Sequence, residues 1–413
     1  MLILTPFMRL IKRIILFIFF PAVSFAGIGD NPLLGIKSSS MGGTITSIGF
    51  DGSAAFYNPA TMTFLKKNYI NLGINYTSPK SIFLMNTGEK YYTSKSSLLP
   101  VSLYGVYKFT DKIDLGLAIN NPFQNNVSWD KTWAGKYICI SNKSNVQNIQ
   151  PAISYRINDK FSVGGGLMFT LYRHQASKAI NYESSAGDVI MNYDLKGSAL
   201  GLNLGLNYNY KKWHMGFAMR SGLNYKKAKG EITLENAPSS LLANGVLPSS
   251  NAEVTANIKL PSVISLGAAY ELDQNWLLTM DVNIYNWTNI DSLKLEVANY
   301  DQYNFKVNQD LSSSYAIRFG ARYNYSKKLV FRGGFAFDLA PVLNTYVHPA
   351  YPEYNKFIYT GGASYQLKKS FSVDAFVGYS DIKERKETKN INNFNGTYKA
   401  NAFIGGIGLN YEF

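Results

Sequence analysis

The sequence predicts an all-β fold: a 14-stranded antiparallel transmembrane β-barrel with an N-terminal plug, or hatch, inside its lumen. Three observations predict it. Fourteen strand-like segments are joined by connections that alternate short and long, as they do in barrels with tight turns on one side and long loops on the other. The segments alternate apolar and polar residues with period two, so one face suits lipid and the other a polar interior. Finally, only 16% of residues are charged while 15% are aromatic, with 30 Tyr and 25 Phe, residues that form strands and line membrane interfaces. Mean hydropathy is only −0.11, because each strand gives half its positions to the lumen.

The N-terminus reads as an address. Arg9, Lys12 and Arg13 precede an apolar run over 14–23, and Ser24-Phe25-Ala26 offers small residues for cleavage after Ala26. This is the pattern of a secretory signal peptide over 1–26, too short for a membrane helix. The apolar 1–7 is unusual for a signal's leading region, and Met8 is an alternative start. Removing 1–26 takes three cations from a net charge of +14. The remaining lysines cluster at turns and loops rather than in a stripe with aromatics, so no nucleic-acid partner is expected.

Residues 27–67 form the next unit. They contain Ser40-Met41-Gly42-Gly43 and Ala54-Ala55-Phe56-Tyr57-Asn58-Pro59-Ala60, small and apolar without strand alternation. Small residues let a chain fold compactly in a confined space, and Asn58-Pro59 favours a turn. A 14-stranded lumen left empty would leak, so this segment is expected to fill it; a periplasmic tether is the other reading.

The barrel occupies 68–413. Strands are predicted near 68–77, 98–109, 113–121, 144–157, 161–175, 192–210, 213–235, 252–272, 276–288, 312–325, 329–339, 356–367, 371–380 and 398–413. Six polar turns lie between alternate pairs, from Thr110-Asp111-Lys112 to Lys368-Lys369-Ser370, and belong to the periplasmic side with both termini. Several strands exceed the roughly 9–11 residues needed to cross and should project outward. The last ends on Tyr411-Glu412-Phe413, an aromatic end of the kind read by the barrel-assembly machinery.

These motifs resemble the FadL family of outer-membrane transporters, which includes the TodX-type proteins. The hatch of that family carries a Gly-Met-Gly-Gly-like stretch, here Ser40–Gly43, and then Ala-Ala-Phe-Tyr-Asn-Pro-Ala, here Ala54–Ala60. Further matches are Pro122-Phe123…Trp129…Trp133-Ala134-Gly135-Lys136-Tyr137, Leu260-Pro261-Ser262…Trp276…Asn286-Trp287 and Arg332-Gly333-Gly334…Asp338…Pro341. The resemblance implies passive uptake of hydrophobic molecules such as long-chain fatty acids: capture at extracellular loops, binding in the lumen, and lateral release at a kink in the third strand. An apolar ligand gains nothing by entering the aqueous periplasm.

Candidate site residues follow. The hatch motif is Asn58, Pro59 and Ala60, with Gly42 and Gly43 as hatch glycines. Asn120, Asn121, Pro122 and Phe123 close the third strand; Pro122 lacks an N–H, so the ladder must break there. That break either borders a lateral opening or simply starts a loop. Trp129, Trp133 and Tyr137 in the 121–143 loop, with Leu241 and Leu242 in the 236–251 loop, are apolar for exposed segments and are candidate capture residues; packing on each other or on lipopolysaccharide is the alternative. Arg318, Arg322 and Arg332 point inward from two adjacent strands, as a carboxylate clamp or as partners of Asp281, Asp338 and Asp374.

One Cys139 and three histidines leave no metal cluster, and no cofactor is expected. No hydrolase, zincin or phosphate-loop motif is present, and His174 alone does not make a barrel phospholipase, so no enzyme is expected. Expected partners are a hydrophobic ligand, outer-membrane lipid and lipopolysaccharide, and the assembly machinery, with a monomeric barrel. The rival function is a FadL-like barrel docking in a protein-secretion system, as PorV-type proteins do.

Overall fold

The computed structural model describes residues 31–413 except 95, 181–186, 246, 289–291, 302–303, 309–310, 342–347, 353–354 and 388–393. The expected signal peptide lies outside the described residues. The wall strands are β1 (Tyr69–Met85), β2 (Val101–Lys108), β3 (Ile113–Ser128), β4 (Ser141–Arg156), β5 (Phe161–Ile180) and β6 (Val189–Tyr210). Strand β7 runs in two pieces, Trp213–Arg220 and Leu223–Glu235, and β8 in two more, Glu253–Leu260 and Ser262–Glu271. Then come β9 (Trp276–Asn286), β10 (Ser314–Asn324), β11 (Leu329–Asp338), β12 (Lys356–Lys368), β13 (Phe371–Glu387) and β14 (Gly396–Glu412). Short ladders at Lys90–Tyr92, Ser292–Val297 and Phe305–Asn308 extend the wall outward.

The sheet closes into a 14-stranded antiparallel barrel. Closure is made by β1 on β14, in register from Tyr69↔Glu412 to Met85↔Gly396, and is tied at the end that carries the short turns by the paired backbones of Asn68 and Phe413. The reason for closure is chemical: in lipid every ladder N–H and C=O needs a partner, and an open edge would strand a row of them.

Alternation sets the two faces. On β6, Leu200, Leu202, Leu204 and Leu206 face outward, while Asn203 and Asn207 are buried inside. On β14, Phe403, Ile407, Leu409 and Tyr411 face outward and Asn410 inward.

Four strands differ from expectation: β1 runs on past 77 to Met85 and β5 past 175 to Ile180, and two more change course. The third does not end at 121: the ladder skips two residues between Asn120 and Phe123, then resumes from Phe123↔Val146 to Ser128↔Ser141. Pro122 removes one donor and forces a local shift, but its neighbours pair again beyond it. Residues 122–128 are therefore wall rather than loop. Likewise β13 continues beyond 380 to Glu387, across a shift between Ile382 and Arg385.

Candidate functional site

The plug is built from short turns of helix. Two α-helical turns, α1 (Ile36–Ser39) and α2 (Ala54–Tyr57), precede a 3₁₀ helix at Pro59–Phe64. Asn58 caps that last helix by accepting from Ala60 N–H, and Pro59 takes the first helical position, where its missing N–H costs nothing. Gly42 and Gly43 have φ of 70° and 88°, a region that a side chain resists. A Cβ on Gly42 would also press against the backbone of Phe319 and Phe335 at 3.0 Å.

The wall grips this segment mainly through its backbone. Asn58 is wholly buried; its Nδ2 donates to Thr46 O at 2.7 Å and to Leu206 O of β6 at 3.1 Å. Asn75 donates to Leu33 O at 2.6 Å, Gln150 to Ala55 O at 2.7 Å, Asn207 to Ser47 O at 2.7 Å and Ser162 to Ala60 O at 2.8 Å; Asn203 bonds Phe56 O. On the opposite side, Asp281 accepts from Ile45 N–H, Thr46 N–H and the Thr46 hydroxyl at 2.9, 2.9 and 2.7 Å. The lumen amide N–H groups and one oxygen of the Asp281 carboxylate thus pair with plug backbone, which offsets part of the cost of burying them.

The fit is close because the wall has glycines where the plug touches it. A Cβ at Gly216 would lie 1.9 Å from Thr46 O, and one at Gly334 would lie 2.0 Å from Gly42 N.

The inward arginines divide. Arg318 is almost completely buried and engaged: Nη2 lies 3.0 Å from the Asp338 carboxylate, Nε donates to Asn283 at 3.0 Å and Nη1 donates to Gly42 O at 3.2 Å. Arg332 donates to Ser364 Oγ at 2.6 Å, and Ser364 in turn bonds Asp374. Arg322 faces Arg332 across the ladder, nearer the periplasmic turn. Arg318 and Arg332 are therefore occupied in structural bonds, and of the three only Arg318 reaches the space above the plug.

That space is narrow, with a free volume of about 30 Å³, well below the usual range for a small-molecule site. Phe56, Phe123, Met168, Leu223, Val263 and Tyr285 give it apolar walls. Beside the ion-paired Arg318 it has a second cation, Arg220, whose guanidinium lies over the Phe56 ring at 4.8 Å. Among the described residues, no carboxylate pairs with Arg220. Sequence reasoning missed this residue, although a signal was there: Arg220 has inward parity, and its ladder neighbours, Asn203 and Val263, carry no charge.

The kink residues border the same space. Pro122 and Phe123 line it, and Pro122 O accepts from Asn31 N–H of the plug at 2.9 Å. Asn121 spans the gap by donating to Asn145 Oδ1 at 3.0 Å, and Asn120 donates to the Tyr104 hydroxyl at 3.3 Å.

The outer loops are arranged differently from an exposed apolar groove. Trp129 and Trp133 stack at 4.4 Å and are buried, with Trp133 also edge-on to Phe83 at 6.1 Å and Phe394 at 5.5 Å. Their indole N–H groups donate to Pro349 O at 3.1 Å and Cys139 O at 2.7 Å. They form the core of a cap, because two large apolar rings gain more by burial together than by facing water. Burial also pushes the Cys139 thiol up to about 12. Tyr137 stays exposed and donates to Asp188 at 3.0 Å. Lys136, 2.6 Å from the same carboxylate, holds the Asp188 pKa below its ordinary value. Leu241 and Leu242 sit half-buried in a short helix, Ser239–Ala243. A Lys131–Glu235 pair at 2.6 Å ties the 129–140 loop to the outer end of β7.

A closed barrel, lipid-facing outside and plugged within, defines an outer-membrane β-barrel channel. Residues 37–413 match the family described as Outer membrane protein transport protein (OMPP1/FadL/TodX), and the chain belongs to that family. It is a protein of the outer membrane. It is similar to the Long-chain fatty acid transport protein of Escherichia coli K12, at 21% identity over 89% of this chain and 90% of that one. Among solved structures it resembles a Pseudomonas aeruginosa FadL homologue, with TM-score 0.82, 19% identity and coverage of 94% of this chain and 100% of that one. It also resembles the Pseudomonas putida toluene transporter TodX, with TM-score 0.73, 14% identity and coverage of 94% and 99%.

Proposed function

We propose that the protein takes up amphipathic hydrophobic molecules of the long-chain fatty acid type, passively, and releases them sideways into the membrane. One observation carries this reading: the apolar space above the plug ends on Pro122 and Phe123, where the β3–β4 ladder is interrupted. A ligand seated there lies beside the one stretch of this strand pair whose backbone bonds are missing. Leaving through it keeps an apolar tail out of water.

Arg220 favours a ligand with an acidic head over a purely aromatic hydrocarbon. A guanidinium in a space walled by apolar side chains holds a carboxylate by charge-assisted hydrogen bonds. Exposed Tyr137 and half-buried Leu241 and Leu242 supply the outer capture surface in this reading, while the Trp129–Trp133 stack keeps the cap rigid. The plug acts as the gate, since its bonds to Asp281 and the lumen amides close the route to the periplasm. The E. coli relative's name points to the same ligand class.

The test is binding of a long-chain fatty acid and its matched alcohol to the purified barrel. The acid should bind more tightly by about tenfold or more, the worth of a hydrogen bond to a charged group, and Arg220→Ala should erase the difference. A cross-link joining N121C to N145C should stop uptake while leaving binding intact. Equal binding of acid and alcohol to the unaltered protein would refute the acidic ligand, and uptake through the sealed kink would refute lateral release.

A further inference from the structure

Outside the lumen, the wall changes character on one sector. The lipid-facing side of β7 carries Lys226, Lys227 and Lys229 beyond its break, β8 carries Lys259, and the outward extension Ser292–Val297 carries Lys294. A tilted strand crosses the apolar layer in about 9–11 residues. Counted from the inner ends at Trp213 and Glu271, that length is used up near Asn224 and Leu260. The lysines therefore begin where the outer headgroups begin, directly above the apolar Met219 and Leu266. A depression of about 350 Å³ lies among them, lined by Lys227, Lys229, Thr255, Asn257 and Lys294, with Glu253 and Glu296 also on its wall. Lys229 pairs with Glu253 at 3.3 Å, and Glu231 lies opposite Glu253 in the ladder. The five lysines still outnumber these three glutamates.

The backbone is bent to present this charge. Ala228 faces Ala256 and Tyr225 faces Ile258, so two residues of β7, Lys226 and Lys227, oppose the single Asn257. Strict alternation would turn one of two consecutive lysines toward the lumen. The bulge lets both face outward. Lys227 takes φ of 52°, left-handed backbone that a lysine adopts only under constraint, and its N–H donates to Asn257 Oδ1 at 2.8 Å. A strained non-glycine residue held by a dedicated hydrogen bond points to a function for its side chain.

We infer that this lysine patch docks the phosphorylated disaccharide headgroup of outer-leaflet lipopolysaccharide. Phosphate oxygens suit several ammonium groups at once, Asn257 and Thr255 suit sugar hydroxyls, and the acyl chains lie along Met219 and Leu266 below. Charge and height together select this occupant: the patch is cationic at the level where an anionic outer leaflet presents its phosphates, and apolar immediately beneath.

The experiment uses the whole barrel in nanodiscs of neutral phospholipid, titrated with bisphosphorylated lipid A. A triple variant, Lys226→Gln, Lys227→Gly and Lys294→Gln, should bind roughly a hundredfold more weakly, at about fivefold for each lysine beside an anionic lipid surface. Lys227→Gly preserves the left-handed backbone, and heat-modifiable migration on gels confirms the barrel. Lys327→Gln with Lys328→Gln, at a periplasmic turn, should change nothing. Dephosphorylated lipid A should bind the unaltered protein only as weakly as the variant binds the phosphorylated form. Excess inorganic phosphate should not compete. Equal affinity of variant and unaltered protein, equal affinity for both forms of lipid A, or displacement by free phosphate would each overturn the inference.

Discussion

Replacing Asn58 with Ala should unseat the plug while sparing the wall. The side chain is wholly buried and makes three bonds: Nδ2 to Thr46 O and Leu206 O, and Oδ1 from Ala60 N–H. Leu206 keeps its place in the β6 ladder opposite Phe217, but Thr46 C=O and Ala60 N–H lose this partner. A buried polar group left unsatisfied costs about 1–3 kcal/mol, so two of them weaken seating by roughly 2–6 kcal/mol. At about 1.4 kcal/mol per tenfold, the unseated population rises roughly 30- to 20,000-fold. No ladder bond is lost, so heat-modifiable migration should stay normal. Native-state hydrogen exchange measures the effect directly: protection of Thr46–Ala60 amides should fall by that factor, while amides of β6 and β14 hold theirs. Single-channel recording should show more frequent openings. Unchanged protection across Thr46–Ala60 would refute the idea that Asn58 seats the plug.

Three further outcomes are expected. Gly216→Ala would set a Cβ 1.9 Å from Thr46 O, a backbone atom with no easy retreat, so the plug should shift and baseline conductance rise in planar bilayers without loss of barrel. The Lys136–Asp188 pair should fail in acid: a carboxyl whose folded pKa is depressed contributes fully above its ordinary value of about 4, and that contribution is lost as pH falls through the lowered one. Exchange of the amides over 129–140 should accordingly rise on that acid side, and Asp188→Asn should remove the pH dependence. Deleting Phe413, which stacks on Tyr411 at 5.3 Å and pairs its backbone with Asn68, should lower assembled surface protein before it alters transport per molecule; normal surface levels would remove its role in assembly.

The strands were legible because period-two alternation is strong when one face meets lipid. Leu200 to Leu206 against Asn203 and Asn207 could be read from spelling alone. The plug motif was legible for a related reason, since small residues around Asn58-Pro59 fit no strand. The end of β3 was not, because a proline reads as a stop while the ladder needs only a two-residue shift to continue past it. Burial of Trp129 and Trp133 was also hidden: their partners, Phe83 and Phe394, lie far away in sequence. For the inward arginines, parity gave the direction. Occupancy depended on what the plug placed beside each one, as when Gly42 O takes up Arg318 while, among the described residues, no plug carbonyl takes up Arg220.

The way the wall holds the plug has a consequence for its design. Asn75, Gln150, Asn203 and Asn207 all donate to plug main-chain carbonyls, and Asp281 accepts two plug main-chain amides. Every residue except proline offers the same main-chain groups, so this socket recognises a chain path more than a set of side chains. Of the side chains turned toward the cavity, Tyr57 helps hold the plug, since its hydroxyl accepts from Leu34 and Gly35 N–H and donates to Pro32 O, whereas Ile45 and Phe56 contribute apolar packing without such bonds. These two can be exchanged to suit a different cargo, and the stopper will still fit its bottle.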